Sequence, residues 1–104
     1  MTITITNTWV RPNTEIDWYV PSDLESAYIK TNFRDNGKIS TVVTYSDDEL
    51  TKTVVTTVTN DTVREEWEAD STIQEFQTAR NTYYNNNSVS KSSLKSVVTF
   101  WRYS

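Results

Sequence analysis

Residues 38–60 read KISTVVTYSDDELTKTVVTTVTN, two β-branched runs on either side of a short acidic turn. In the first run Ile39, Thr41, Val43 and Tyr45 share one face; in the second Leu50, Val54 and Val58 do. Val, Ile, Thr and Tyr recurring with a period of two between turn residues predict a β-hairpin, because alternate side chains on a strand point to opposite faces. The tip, Ser46-Asp47-Asp48-Glu49, reads as a solvated turn, since a cation site needs more convergent carboxylates than this.

Working outward, Thr2–Val10 (TITITNTWV) alternates cleanly and predicts a strand, with Ile3, Ile5, Asn7 and Trp9 on one face and four threonines on the other. Asn7 is a polar amide where the pattern calls for an apolar residue, so it either bonds internally or faces a cavity. Arg11–Pro21 reads as a connection, extended in part where Ile16, Trp18 and Val20 alternate. Ser22 with Glu25 three residues on makes a capping box and opens a helix. Its main predicted stripe is Leu24, Ala27, Tyr28, Thr31 and Asn32, with Ile29 and Phe33 flanking, and Asn36-Gly37 ends it where a positive φ is needed.

Beyond the hairpin, Asp61 or Thr62 is placed to cap a second helical segment carrying Val63, Trp67, Ile73, Phe76, Arg80 and Tyr83 on one stripe. The spacing slips at Asp70-Ser71-Thr72, which predicts a break there. Ser88–Ser93 reads as irregular, and Leu94–Tyr103 as a last strand apolar on both faces: Leu94, Val98 and Phe100 on one, Val97, Trp101 and Tyr103 on the other. Such a strand is covered on both sides, so a second subunit is expected over one of them.

The 104 residues suit a single domain spanning 1–104. A net charge of −4 without a basic run gives no electrostatic reason to bind nucleic acid. The chain has no Cys and no His, which removes thiolate chemistry and the commonest general base and metal ligand. No apolar run reaches the roughly 18 residues of a membrane span, and the N-terminus lacks the basic-then-apolar pattern of a leader. The expectation is a cytoplasmic protein without cofactor, metal, membrane or nucleic-acid partner.

The predicted order is β-α-β-β-α-β, an α+β, ferredoxin-like arrangement with a four-stranded antiparallel sheet and two helices on one face. On Asn7 in the inward register, the hairpin running into a capped helix, Trp67-Glu68-Ala69-Asp70, Phe76 and the ARNTYY run of residues 79–84, the chain resembles the dimeric α/β-barrel superfamily, which includes antibiotic-biosynthesis and haem-degrading monooxygenases. The resemblance implies a homodimer joined through the open sheet face. In the haem-degrading members an Asn on the first strand, a Trp in the second helical region and a later His form the site. Asn7 and Trp67 match the first two, and Gln77 falls at the third. Without His the axial haem ligand is missing, so any activity the resemblance implies is of the cofactor-independent, antibiotic-biosynthesis type. The Thr- and Asn-rich composition is also similar to that of small phage-encoded accessory proteins, which would put it in a host cytoplasm.

Candidate pocket residues are therefore Asn7, Trp9, Trp67, Gln77, Arg80 and Tyr83, with Tyr84 as a further member of a proton-handling cluster. Two functions follow as expectations: a non-catalytic homodimeric scaffold, or a cavity between sheet and helices that binds a small apolar or aromatic molecule, with or without oxygenation.

Overall fold

Strand β1 (Thr2–Val10) lies inside a four-stranded antiparallel sheet of order β2-β3-β1-β4, with β2 at Ile39–Tyr45, β3 at Thr51–Val58 and β4 at Ser90–Val98. The computed structural model describes residues 2–98. The two-sided burial expected of Val97, Val98, Phe100, Trp101 and Tyr103 lies outside the described side chains. The hairpin forms as predicted, Ile39 pairing with Val58 and Tyr45 with Lys52. Inserting β1 between β3 and β4 gives an α+β topology compatible with a ferredoxin-like fold.

There are three helices rather than two: α1 (Asp23–Ile29), α2 (Asp61–Ala69) and α3 (Ser71–Asn86). The break falls at the predicted place, where extended Asp70 accepts hydrogen bonds from the Thr72 and Ile73 amides (2.9 and 3.0 Å) and from the Tyr28 hydroxyl (2.7 Å). One carboxylate thus caps α3 and ties it to α1. The cap of α2 is Asn60 rather than Asp61 or Thr62, its side-chain oxygen accepting from the Val63 amide at 2.9 Å.

Helix α1 faces differently from its predicted main stripe. It continues as a π-helical turn over Lys30–Arg34, in which the Asp35 amide reaches the Lys30 carbonyl five residues back. Leu24 is 74 % exposed, while Phe33, expected only to flank, is 2 % exposed and packs edge-on against Trp67 at 4.8 Å. Glu25, Tyr28, Ile29 and Phe33 are the residues that α1 and its π turn present inward. Gly37 takes φ +75°, the left-handed value its position required.

Strand β4 starts at Ser90, four residues before the expected Leu94, because a polar edge strand can pair along β1 without an apolar pattern of its own. Leu94 stands on the open face, 65 % exposed. The hairpin tip is ordered by the Asp48 carboxylate, which accepts from the Ser46 hydroxyl and the Leu50 amide. Buried Arg11 fastens that tip to the first connection: it donates to the carbonyls of Glu49 and Ile16, both at 2.8 Å, and lies 4.5 Å over the Trp18 ring.

Substitution of buried and exposed apolar residues tests this orientation of α1. Phe33→Ala is expected to cost about 3–5 kcal/mol in urea unfolding, and Leu24→Ala less than about 0.5 kcal/mol. The reverse order would place the helix on its sequence-predicted stripe.

Candidate functional site

On the helix-facing side of the sheet, two apolar clusters form at opposite ends. One joins Ile3, Phe33, Ile39, Val58, Val63 and Ile73; the other joins Trp9, Tyr84 and Val89. Between them the strand registers set two rows across the sheet, Val43–Val54–Asn7–Ser93 and Thr41–Thr56–Ile5–Lys95. Thr, Asn and Ser are too short to fill a core at native packing density. A cavity of about 460 Å³ remains above them, walled on the helix side by Glu25 and Ile29 of α1, Trp67 of α2 and Gln77 and Arg80 of α3. Exposed Val43, Lys91 and Ser93 stand at its rim.

The next row, Tyr45–Lys52–Trp9–Lys91, closes one end and carries the charge. Neighbouring Cβ atoms in such a row are about 5 Å apart, so the two lysines flank the indole. Arg80 comes down from α3 with its guanidinium carbon 4.9 Å from the Trp9 ring centre, and the Lys91 ammonium lies 5.8 Å from the same ring. Cations over an indole face are attracted by its quadrupole, but each repels the others. Among the described residues, none of Lys52, Arg80 and Lys91 forms an ion pair. Of the two cavity carboxylates, Glu68 is tied to Arg64 and Lys95, which leaves Glu25, 7 % exposed, against Lys52, Arg80 and Lys91, with Arg34 a fourth cation on the cavity wall.

The titration directions follow from this crowding. Burial pushes Lys52 and Lys91 below the ordinary lysine value, and the Arg80 charge pushes them further the same way. Burial raises Glu25, with Arg80 pulling against it. Arg80 is itself lowered by burial yet stays a cation at neutral pH. Its Nε and the Trp9 Nε1 are buried donors without a hydrogen-bond partner, each an unmet desolvation cost of about 1–3 kcal/mol.

Compared with protein-family models, curated proteins and solved structures, the chain matches none. Its chemistry rests on its own residues.

Five of the six candidates line the cavity: Asn7, Trp9, Trp67, Gln77 and Arg80. Tyr83 does not; its hydroxyl donates to the Asp17 carbonyl at 2.7 Å and its ring stacks on Tyr19. Asn7 does two things at once. Its side-chain oxygen accepts from the Ser93 hydroxyl at 2.6 Å, pinning β1 to β4, while the residue still lines the cavity. Trp67 is likewise both core, against Phe33, and wall. Tyr84 borders the cavity buried between Trp9 and Trp18, with its hydroxyl accepting from the Tyr19 amide at 3.0 Å. Burial raises its pKa, the opposite of what the expected proton-handling role with Arg80 requires.

Sequence reasoning missed Glu25, Lys52 and Lys91. Glu25 was read as half of a capping box, and although Ser22 does accept from its amide, the carboxylate faces the cavity. Lys52 carried a readable signal, since it shares the inward register of Val54 and Val58. Lys91 carried none, lying in a stretch read as irregular. Among the described residues, no three His, Cys, Asp or Glu side chains are grouped to hold a metal ion.

The lysine shifts give a stability signature. With folded values below the unfolded value of about 10.4, the unfolded chain binds more protons in that interval, so stability rises with pH across it. Tyr19 and Tyr84 are raised by burial, so stability falls again above about 10, where only the unfolded tyrosines ionise. The urea midpoint is expected to climb with pH as it approaches the unfolded lysine value of about 10.4 and to turn over where the unfolded tyrosines ionise. The double variant Lys52→Met/Lys91→Met should start higher at neutral pH and lose the climb; a flat wild-type profile would contradict the assignment.

Proposed function

We propose that this chain is a small-molecule-binding domain whose ligand sits between the sheet and the helices, beside Asn7. The observation that carries the reading is the cavity itself. At about 460 Å³ it falls within the roughly 300–1,000 Å³ of small-ligand sites, and it has their character of aromatic and aliphatic walls with a few placed polar groups. Trp9, Trp67, Ile5 and Val54 supply the apolar walls, and Asn7, Gln77 and Thr56 the polar ones. Binding rather than turnover is the reading, because Tyr83 lies outside the cavity with its hydroxyl on the Asp17 carbonyl, and Tyr84 is buried among aromatics with its hydroxyl on the Tyr19 amide and its pKa raised by burial. Among the described residues, no helix is long and apolar enough to cross a membrane.

Val54 lies centrally in the cavity floor and is the position at which to fill it. A neutral aromatic probe, N-phenyl-1-naphthylamine, is expected to bind one per chain and change the tryptophan emission. Val54→Trp should weaken that binding at least about tenfold, a loss of roughly 1.4 kcal/mol, while the far-ultraviolet circular dichroism stays unchanged. Undiminished binding to the filled variant would remove the cavity from the reading.

A homodimer through the open sheet face is the second reading, in keeping with the dimeric α/β-barrel resemblance and the scaffold role. It draws on one row of that face, Leu94–Thr6–Val55–Val42, whose end residues Leu94 and Val42 are 65 % and 62 % exposed. Among the described side chains the rest of the face is Thr and Ser, apart from Val10 at its edge. Four strands of this length present roughly 550 Å² in projection, small beside the roughly 800 Å² per partner of a standard interface. Light scattering should therefore show a concentration-dependent rise above the 12.1 kDa monomer that Val42→Asp/Leu94→Asp abolishes. A constant monomer mass up to high micromolar concentration would sink the dimer.

A further inference from the structure

We infer that the cavity selects an anion: a compact molecule with an aromatic or apolar body and a carboxylate or phosphate head, the head held by Lys52, Arg80 and Lys91 beside Trp9. This rests on the cavity reading and narrows it, because the sequence expectation was an apolar ligand.

Three observations converge. The first is placement, with the lysines directly opposite Trp9 on its two neighbouring strands and Arg80 descending onto the same ring from α3. Two strands and a helix thus deliver three cations to one end of one cavity. The second is their lack of partners. Lys95, two rows along the sheet and outside the cavity lining, is paired with Glu68, whereas these three have no ion pair among the described residues, and the cavity carboxylate left for them is Glu25. Uncompensated like charges crowded at a cavity wall destabilise the free protein, and a bound anion removes that cost through charge-assisted hydrogen bonds. The third is the contrast with the whole molecule, which carries a net charge of −4; the positive end of the cavity is local, and low-dielectric walls concentrate its field. The aromatic and aliphatic walls beyond this end, Trp67, Ile5 and Val54, set the apolar character of the ligand's body.

The test uses three probes of one shape on the full chain: neutral 2-naphthamide, singly charged 2-naphthoate and 2-naphthyl phosphate, titrated calorimetrically at low salt. Naphthoate is expected to bind at least about tenfold tighter than the amide, and the phosphate tighter again. Lys91→Met, at the exposed rim, should collapse that ratio without weakening the amide. The same variant should unfold at a higher temperature than wild type when no probe is present, which a lysine with a merely structural role would not do. Equal affinity for all three probes, or a ratio unmoved by Lys91→Met, overturns the anion inference and leaves the cavity reading standing. Binding of none of the three overturns the cavity reading itself.

Discussion

Trp9 is hydrogen-bonded through its backbone neighbours into a register that sets Lys52 on one side of it and Lys91 on the other. The helix-facing half of the molecule is arranged around that row. Toward the N-terminal end of β1 the inward positions become short and polar, then apolar again at Ile3 and Val58. Beyond Trp9 the chain turns back so that Trp18, Tyr19, Tyr83 and Tyr84 gather near the indole. The result is a core in two parts with space between them. A one-residue slip of β1 would send Trp9, Asn7 and Ile5 to the open face together, so the Asn7–Ser93 hydrogen bond protects the cavity as well as the sheet.

A divided core is less stabilising than a filled one, and Lys52, Arg80 and Lys91 crowded at one end of the cavity add to the cost. Other parts of the fold offset this. The contact of buried Phe33 with half-buried Trp67 and the aromatic group around Tyr84 are close, angled contacts of the kind worth about 0.5–1.5 kcal/mol each beyond area burial. Arg11 joins β1, the first connection and the hairpin tip through two carbonyls and the Trp18 face. Asp70 joins α1 to α3. These fastenings lie at the ends of the sheet and at the helix junctions, so the middle is held open by structure at its edges.

The two faces of the sheet differ in kind. The open face presents threonines and serines in a regular array with one apolar row and Val10 at its edge, whereas the aromatic residues of the described strands, Trp9 and Tyr45, both belong to the inward register.

Much of this was legible in the sequence. Period-two alternation placed β1 and the hairpin, because inward and outward residues must alternate on a half-buried strand, and a slip in the helical spacing placed the break at Asp70-Ser71-Thr72, where the structure shows Asp70 accepting from the first amides of α3. The anomaly at Asn7 correctly marked the cavity's level, since a polar residue in an apolar register signals either a partner or a space. The inward face of α1 was not legible: a π-helical turn shifts the stripe, and local spacing does not announce it. Nor was the start of β4, whose Ser and Lys residues pair with β1 through backbone bonds that leave no apolar pattern. The charge of the site was hidden most completely. Lys52, Arg80 and Lys91 are scattered along an acidic chain and form no cluster in sequence, and only the antiparallel pairing of β3 and β4 on either side of β1, with α3 laid above, gathers them at Trp9. Alternation and capping are local and so are written in the sequence; the convergence of three distant cations depends on register between strands far apart in the chain, and tertiary structure alone decides it.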